Sequence, residues 1–244
     1  MNIGKALSYP NEDKQWASKI GIGVLISVVP ILNFAWLGYI IELIRQVIKG
    51  NPLPMPDWNN LGKKFMDGLL LFLASLMYAL PVILLIGVPL IIMIVPAILA
   101  GAGDSSTQNI ASAIATAGTL VAMCLTCVFL LYVLALSVLF PAIYVEYATK
   151  GTFASCFDFK NIFAQIRKNA GVYFTAWGVY LGVLIGASLV GGIIGSLLGW
   201  IPCLGQIIAL VVGIASGIYV LLVFAHLFGQ YGAMDAEDRP LASS

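Results

Sequence analysis

The stretch that decides the fold is residues 49–69, KGNPLPMPDWNNLGKKFMDGL, which lies between two apolar segments. It recurs without a gap as residues 150–170, KGTFASCFDFKNIFAQIRKNA. Lys150, Gly151, Asp158 and Asn161 thereby repeat Lys49, Gly50, Asp57 and Asn60. Each copy passes from a Lys-Gly helix end, through a turn-rich linker, into an amphipathic helix and a membrane-length apolar segment. The sequence therefore predicts an internal repeat, residues 39–72 matched by residues 140–173.

The composition is that of an integral membrane protein. Hydrophobic residues make up 61% of the 244 residues and charged residues only 9%, against about 25% charged in a soluble domain. We therefore expect an all-α fold, a polytopic transmembrane helical bundle in a single membrane domain over residues 1–244, with a polar C-terminal tail at residues 234–244. The formal net charge of +1 provides no basic field, so no nucleic-acid partner is expected.

The first apolar region, residues 20–44, allows two interpretations. Pro30 and Asn33 break it, because proline removes a helix hydrogen bond and asparagine favours turns. Each half, of about ten residues, reaches only about 15 Å, half of the roughly 30 Å hydrocarbon thickness. The region is either one kinked span or a shallow hairpin that enters and leaves on the same face. A similar break at residues 201–205 separates two segments that are each long enough to span, which favours the hairpin.

Glycine and proline mark the later apolar segments. Pro81, Pro89 and Pro96 predict a kinked or segmented helix. Glycines four residues apart form single helix faces in the last two segments: Gly178, Gly182 and Gly186, then Gly213 and Gly217. Small-residue faces let helices approach closely in lipid. We expect these glycines to form helix-packing or oligomer faces, and the last two helices to pack together.

The basic residues indicate the orientation. None of the twelve Lys and Arg residues lies in the turns at residues 101–108 and at residue 202. By the positive-inside rule the linkers are cytoplasmic and those turns are external. A hairpin at residues 20–44 would leave every Lys and Arg, and both termini, on the cytoplasmic side of the cell membrane. We therefore predict about three helical hairpins, or five to six membrane segments, with short amphipathic interfacial helices. The alternative is five spans with an external N-terminus.

The two linker helices combine an apolar stripe with basic residues. Such helices are suited to lie in the membrane interface, where lysines attract anionic lipid headgroups. The predicted interfacial residues are Trp16, Trp58, Lys63, Lys64, Phe65, Phe159, Phe163, Arg167 and Lys168. Membrane lipids are therefore expected partners, although the same helices could serve only as anchors that set the topology.

Residues with distinctive chemistry are few. Glu42 and Arg45, at helical spacing, predict an ion pair at the membrane boundary. His226 is the only histidine, and the four cysteines, Cys124, Cys127, Cys156 and Cys203, are expected to be unpaired and structural. With no pairing of a nucleophile and a base, we expect no enzymatic activity, no cofactor and no metal site.

A set of short motifs resembles a known family. The motifs are Trp16 with Lys19, the break at residues 30–33, Gly38-Tyr39, residues 43–45, Lys49-Gly50, Leu53-Pro54, Asp57-Trp58 and residues 67–69. Together they resemble a prokaryotic family, archaeal and bacterial, of multi-pass membrane proteins of unknown function. The chain is also distantly similar to the membrane domain of some glycerophosphodiester phosphodiesterases. That resemblance implies a membrane-embedded helical domain and carries over no catalytic residue.

Two functions of different classes fit these features. The first is a non-enzymatic integral membrane scaffold or assembly subunit that interacts with lipid and self-associates or docks to a membrane complex, with a homo-oligomer expected. The second is a channel or transporter for a small or apolar solute, whose path the first hairpin and residues 81–96 would line.

Overall fold

The computed structural model describes residues 1–27, 29–102, 105–201 and 204–237. Within these ranges it contains α-helices and short 3₁₀ turns and no strand, which confirms the all-α class. The helices are α1 (Ile3–Ser8), α2 (Trp16–Ser27), α3 (Phe34–Ile48), α4 (Leu61–Ala102), α5 (Ser105–Lys150), α6 (Phe159–Lys168), α7 (Ala170–Leu198) and α8 (Leu204–Glu237).

Helices of the described residues include five that are long and apolar enough to cross a membrane. The candidate spans are Ile31–Ile48, Leu61–Ile98, Gln108–Lys150, Ala170–Leu198 and Leu204–Ala236. A helical membrane protein is therefore the class that both the composition and the helices support.

The chain divides into two compact units. The first unit is Met1–Phe72 with Pro141–Ser244, and the second unit is Leu73–Phe140. In the second unit, α4 and α5 form a hairpin in which the Tyr132 hydroxyl donates to the Tyr78 carbonyl at 2.9 Å. The helix α4 runs uninterrupted through its three prolines, so the predicted division into segments does not occur.

In the first unit, the first apolar region folds back on itself. The Trp36 indole donates to the carbonyl of Gly23 at 2.9 Å, and a Cβ on Gly23 would collide with the Trp36 ring. Thirteen residues of straight helix would separate these groups by about 20 Å. The hairpin is therefore formed by α2 and α3, and a single kinked span over residues 20–44 does not describe it.

The neighbours of α3 fix its direction. Gly38 of α3 lies against the backbone of Lys64 and Gly68 of α4 lies against Phe34, so these two helices run antiparallel in close contact. Against α8 the order is parallel: Phe34 and Leu37 share a cavity with Ile214 and Ile218, whereas Val47 meets Gly229. The end of α3 therefore lies beside the C-terminal part of α8.

Helices α5 and α7 each have one terminus in the same region. At the end of α5, Ala148 accepts a hydrogen bond from Arg45 at 3.0 Å. At the start of α7, the Tyr173 ring packs against Tyr231 of α8 at 5.1 Å. We call this region, where α3, α5 and α8 end and α4 and α7 begin, the linker end.

The N-terminal segment also lies at the linker end. Asn2 donates through its backbone N–H to the Gln230 side chain at 2.6 Å. The Tyr9 ring stacks on His226, and its hydroxyl donates to the Leu222 carbonyl at 3.1 Å. These contacts place the N-terminus beside the C-terminal part of α8, as the predicted hairpin requires.

Most of the buried core of the first unit also lies at the linker end. The largest fully buried side chains include five tyrosines: Tyr9, Tyr39, Tyr147, Tyr173 and Tyr231. Residues 234–237, predicted as the beginning of a polar tail, form the last turn of α8, and Asp235 there is buried. The rest of that tail, residues 238–244, lies outside the described residues.

Candidate functional site

The two Lys-Gly motifs form the same local structure at the linker end. Gly50 and Gly151 adopt φ of +72° and +67°, a left-handed conformation that favours glycine at helix ends. The Gly50 N–H donates to the Val47 carbonyl at 2.9 Å, and the Gly151 N–H donates to the Tyr147 carbonyl at 2.8 Å. Both linkers therefore leave their helices through a left-handed glycine, with a hydrogen bond that spans three residues at Gly50 and four at Gly151.

Arg45 joins three helices beside these glycines. Its Nε donates to the Ala148 carbonyl at 3.0 Å, and its Nη1 donates to Asp67 Oδ2 at 2.5 Å. The Tyr147 hydroxyl donates to the other oxygen of Asp67 at 3.1 Å. The predicted boundary partner, Glu42, lies 3.7 Å from Arg45, so the closer partner is Asp67, which the sequence did not indicate. We call Arg45, Asp67 and Tyr147 the Arg45 clamp.

Lys150, the counterpart of Lys49 in the repeat, forms ion pairs at the end of α5. Its ammonium pairs with the buried Glu146 at 2.5 Å and with Asp158 at 3.0 Å. Asp158 caps α6 by accepting from the Asn161 N–H at 3.3 Å. The hydrogen bond from Lys150, followed by those from Asn161, holds the pKa of the Asp158 carboxyl below its usual value. The second linker is thus tied to α5 through charge.

A basic cleft opens between the two glycine turns. Its volume is about 430 Å³, and its polar lining is Arg45, Lys49, Lys63, Asp67, Thr149 and Lys150, with Gly151 at its edge. A Cβ on Gly151 would stand 3.9 Å from Arg45 Nη2, so this nitrogen lies beside the second glycine turn. Lys49 and Lys63 are exposed, and neither forms an ion pair with another described residue.

Three predicted interfacial residues of the first linker, Trp58, Lys64 and Phe65, pack against protein, and their position in the membrane interface stays a prediction. Trp58 stacks on Tyr39 at 4.8 Å and donates to the Lys19 carbonyl at 2.6 Å. Lys64 is 7% exposed and donates to the Asn59 carbonyl at 3.0 Å. Phe65 packs edge-on against the Phe34 ring. No separate amphipathic helix forms here, because α4 begins at residue 61 and continues into the apolar segment.

The second linker does form a separate short helix, α6. Phe159 and Phe163 are each 46% exposed, and with Lys160 and Arg167 they line a shallow depression. Buried residues Ile162, Gln165 and Ile166 form the opposite side. All four predicted interfacial residues here, Phe159, Phe163, Arg167 and Lys168, are exposed. The Lys168 ammonium also lies 3.4 Å from the buried Asp235.

The N-terminal segment is tied to the first linker through Lys19. Its ammonium donates to Asp13 at 2.8 Å and to the Met55 carbonyl at 2.8 Å, and lies 3.1 Å from Asp57. Burial alone would raise the pKa of Asp13, but hydrogen bonds from Lys19 and from the Gln15 N–H outweigh it and lower the pKa. Trp16, another predicted interfacial residue, is 43% exposed.

The predicted glycine faces have no close neighbour within the described chain. A Cβ added at Gly178, Gly182, Gly186, Gly213 or Gly217 would meet no atom within 4 Å. The predicted packing of α7 on α8 occurs, but through aromatic pairs such as Tyr180 with Phe224 at 5.1 Å. At about 100° per residue, the face of Gly178, Gly182 and Gly186 lies opposite Tyr173 and Tyr180.

Gly213 and Gly217 have a different setting. They line a groove of about 480 Å³ between α7 and α8, together with Ala187, Ser188 and Gly191. Each wall therefore combines small residues with larger ones, which are Tyr180 and Leu184 on α7 and Val220 and Leu221 on α8.

The remaining candidate groups have structural surroundings. Gln230 lies 2.8 Å from the Nδ1 atom of His226, and Tyr9 covers the imidazole ring. Cys124 and Cys127 are free and exposed and Cys156 is free and buried, while Cys203 lies outside the described residues. Among the residues that the structure describes, no three His, Cys, Asp or Glu side chains gather as metal ligands would.

Comparison with known proteins gives one family. A family model described as "Protein of unknown function (DUF4013)" matches residues 22–200. No curated protein and no solved structure matches the chain. The match covers more than half of the chain and includes both linkers and the Arg45 clamp.

Proposed function

This chain belongs to the DUF4013 family, whose function is unknown, and from that premise we propose that it is a non-enzymatic scaffold or assembly subunit of the cell membrane. It self-associates through glycine faces of α7 and α8 and interacts with lipid at its linker end. The earlier resemblances, to a prokaryotic family and to the membrane domain of glycerophosphodiester phosphodiesterases, belong to this proposal, since both describe helical membrane modules without chemistry of their own.

The observation that carries the proposal is the bare glycine face of α7. Gly178, Gly182 and Gly186 contact nothing within the described chain, whereas the closest contacts of the first unit use other glycines, such as Gly38 and Gly68. In lipid, apolar burial gives no drive for helix association, so close backbone approach at small residues is a main source of affinity. A face built for such approach and left bare suits a second copy of the chain.

The groove between α7 and α8 supports the same function. Part of its lining is small, with Gly213, Gly217, Ser188 and Gly191, and small residues allow a helix backbone to approach closely. A helix of a neighbouring subunit would fill it.

The proposed orientation places the linker end and both termini in the cytoplasm. The described basic residues lie at the linker end or in the linkers that leave it, as the positive-inside rule requires of a cytoplasmic surface. On this surface, the exposed Phe159 and Phe163 with Lys160 and Arg167 match a helix that inserts aromatic rings between headgroups.

Native mass spectrometry of the protein in a mild detergent tests self-association. The variant carries Gly178→Leu and Gly182→Leu, which the fold accommodates because both positions face open space. Gly87→Leu is the matched control, since a Cβ there also meets nothing within 4 Å. We expect a defined oligomer for the wild type and the control and a monomer for the variant. A monomeric wild type would refute the proposal.

A channel or transporter for a small or apolar solute is the second candidate. A cavity of about 690 Å³ lies between the first hairpin and α8, lined by residues that include Asn33, Trp36, Ile214 and Gly217. Solute flux into sealed vesicles, lost when Gly217→Leu fills the cavity, would support this function. If vesicles that contain the protein show no flux for any tested solute, the channel or transporter function is refuted.

A further inference from the structure

The geometry of the basic cleft points to a second property of the linker end: we propose that it binds a phosphate group, carried either by the headgroup of an anionic lipid or by free phosphate. The cleft lies between the two glycine turns and draws its donors from both copies of the repeat, with Arg45, Lys49 and Lys63 from the first and Lys150 from the second. Self-association is not needed for this site.

Four carboxylates lie against two of the cleft's four cations, and the other two cations form no ion pair with a described residue. Asp67 and Glu42 face Arg45, and Glu146 and Asp158 face Lys150. Arg45 and Lys150 therefore each have two acidic neighbours. Lys49 and Lys63 remain, with no ion pair to any described residue. A phosphate oxygen between them would meet two ammonium groups.

Arg45 adds a directed donor. Its Nε and Nη1 are engaged by Ala148 and Asp67, which fixes the plane of the guanidinium group. Nη2 lies beside the turn at Gly151, 3.9 Å from where a Cβ on that glycine would stand. A fixed guanidinium nitrogen beside mobile ammonium groups is a common arrangement for phosphate oxygens.

Helix dipoles oppose an anion here, because α3 and α5 both end at the cleft. Hydrogen bonds to the terminal carbonyls of α3 and α5 reduce this unfavourable effect of the helix dipoles. Gly50, Gly151 and Arg45 donate to carbonyls of Val47, Tyr147 and Ala148. The full charges of Lys49 and Lys63 therefore exceed the remaining partial charges.

Binding of a lipid headgroup and binding of free phosphate depend on different structural features. A lipid headgroup requires the linker end to lie at the membrane surface and so rests on the proposed function. Free phosphate requires only the cleft. The experiment therefore contains an arm for each source.

The test uses the full chain in mild detergent, with binding of phosphatidylglycerol read as retained mass and binding of inorganic phosphate read by ³¹P NMR. The cleft variant carries Lys49→Gln and Lys63→Gln. The matched control carries Lys5→Gln and Lys14→Gln, which remove the same charge from exposed positions outside the cleft. At about 1 kcal/mol per basic residue, the cleft variant should bind about 30-fold more weakly, and the control should bind like the wild type.

Each outcome decides the inference. Lipid binding lost only in the cleft variant supports the site with a headgroup as its source. Phosphate binding lost only in that variant, without lipid binding, supports the site with free phosphate as its source. Equal losses of binding in both variants would indicate a diffuse surface charge and would overturn the proposed site. A wild type that binds neither lipid nor phosphate would overturn it as well. The subunit count in the same spectra reports separately on self-association.

Discussion

Asp67 accepts hydrogen bonds from two other helices, from Arg45 of α3 and from Tyr147 of α5. At this scale the sequence was informative only in part. Arg45 was recognised, but with Glu42 as its partner, because spacing along one helix is visible in a sequence and proximity between helices is not. The repeat provides no signal either, since Lys168 stands where the first copy has Asp67.

Removing the charge of Asp67 should therefore be costly. Asp67→Asn leaves a half-enclosed guanidinium without its closest counter-ion, and the loss of one partner from such a pair costs about 3 kcal/mol, or a fall of roughly 6–12 °C in the unfolding midpoint. Glu42→Gln removes the same charge at 3.7 Å and should cost about 0.5 kcal/mol. Thermal unfolding in detergent measures both, and equal midpoints would contradict the clamp.

Cys156 offers a second prediction at the residue scale. Burial raises the pKa of its thiol to about 11, and the thiolate is the reactive form. With Cys124, Cys127 and Cys203 replaced by alanine, maleimide labelling at pH 8 should be about a hundredfold slower than for a thiol of pKa 9, since each pKa unit is tenfold in thiolate. Unfolding in SDS should abolish the protection. Rapid labelling of the native protein would place Cys156 outside the core.

At the scale of elements, the crossing of α3 and α4 depends on two glycines. A Cβ on Gly38 would collide with the Lys64 carbonyl, and one on Gly68 would collide with the Phe34 carbonyl. Both glycines occurred in the motifs of the sequence, but their role did not follow from them, since neither forms a repeated face. The four-residue spacing indicated other glycines, which are bare in the chain. The spacing of glycines thus shows that a helix face consists of small residues, but it does not show what packs against that face.

Gly38→Ala should separate α3 from α4. Because the obstacle is backbone, we expect a loss of about 1–3 kcal/mol, seen as a lower unfolding midpoint. Gly87→Ala is the control, because open space surrounds that position and alanine is the better helix former by about 0.5–1 kcal/mol. Opposite signs for the two substitutions are the expected result, and a gain in stability at both positions would disprove the crossing.

At the scale of the whole molecule, the sequence predicted the helical class, the break at residues 30–33 and the turns at the two Lys-Gly motifs, because each depends on local chemistry. It placed Trp58 and Phe65 in the membrane interface, whereas both pack on protein. In a membrane protein, an apolar face fits lipid and protein equally well. Amphipathic spacing therefore cannot distinguish the two environments.

The hairpin of α2 and α3 makes a prediction about topology. Single cysteines at Asn11, Lys160 and Asn109, in a background without the native cysteines, would report the sides of the membrane with an impermeant maleimide. We expect residues 11 and 160 to label from the cytoplasmic side and residue 109 from the opposite side. If residue 11 labels from the same side of the membrane as residue 109, the result supports the alternative of five spans with an external N-terminus.

The contacts of the N-terminal segment also bear on how the chain is made. Tyr9 bonds to Leu222, which is 213 positions later in the chain, and Asn2 bonds to Gln230, which is 228 positions later. At about 5–20 residues per second, the first helices wait on the order of ten to forty seconds for these partners to be synthesised. During that time the insertion machinery or a chaperone must cover the apolar surface of α3. A ribosome that stops before α8 therefore releases a chain whose beginning cannot fold.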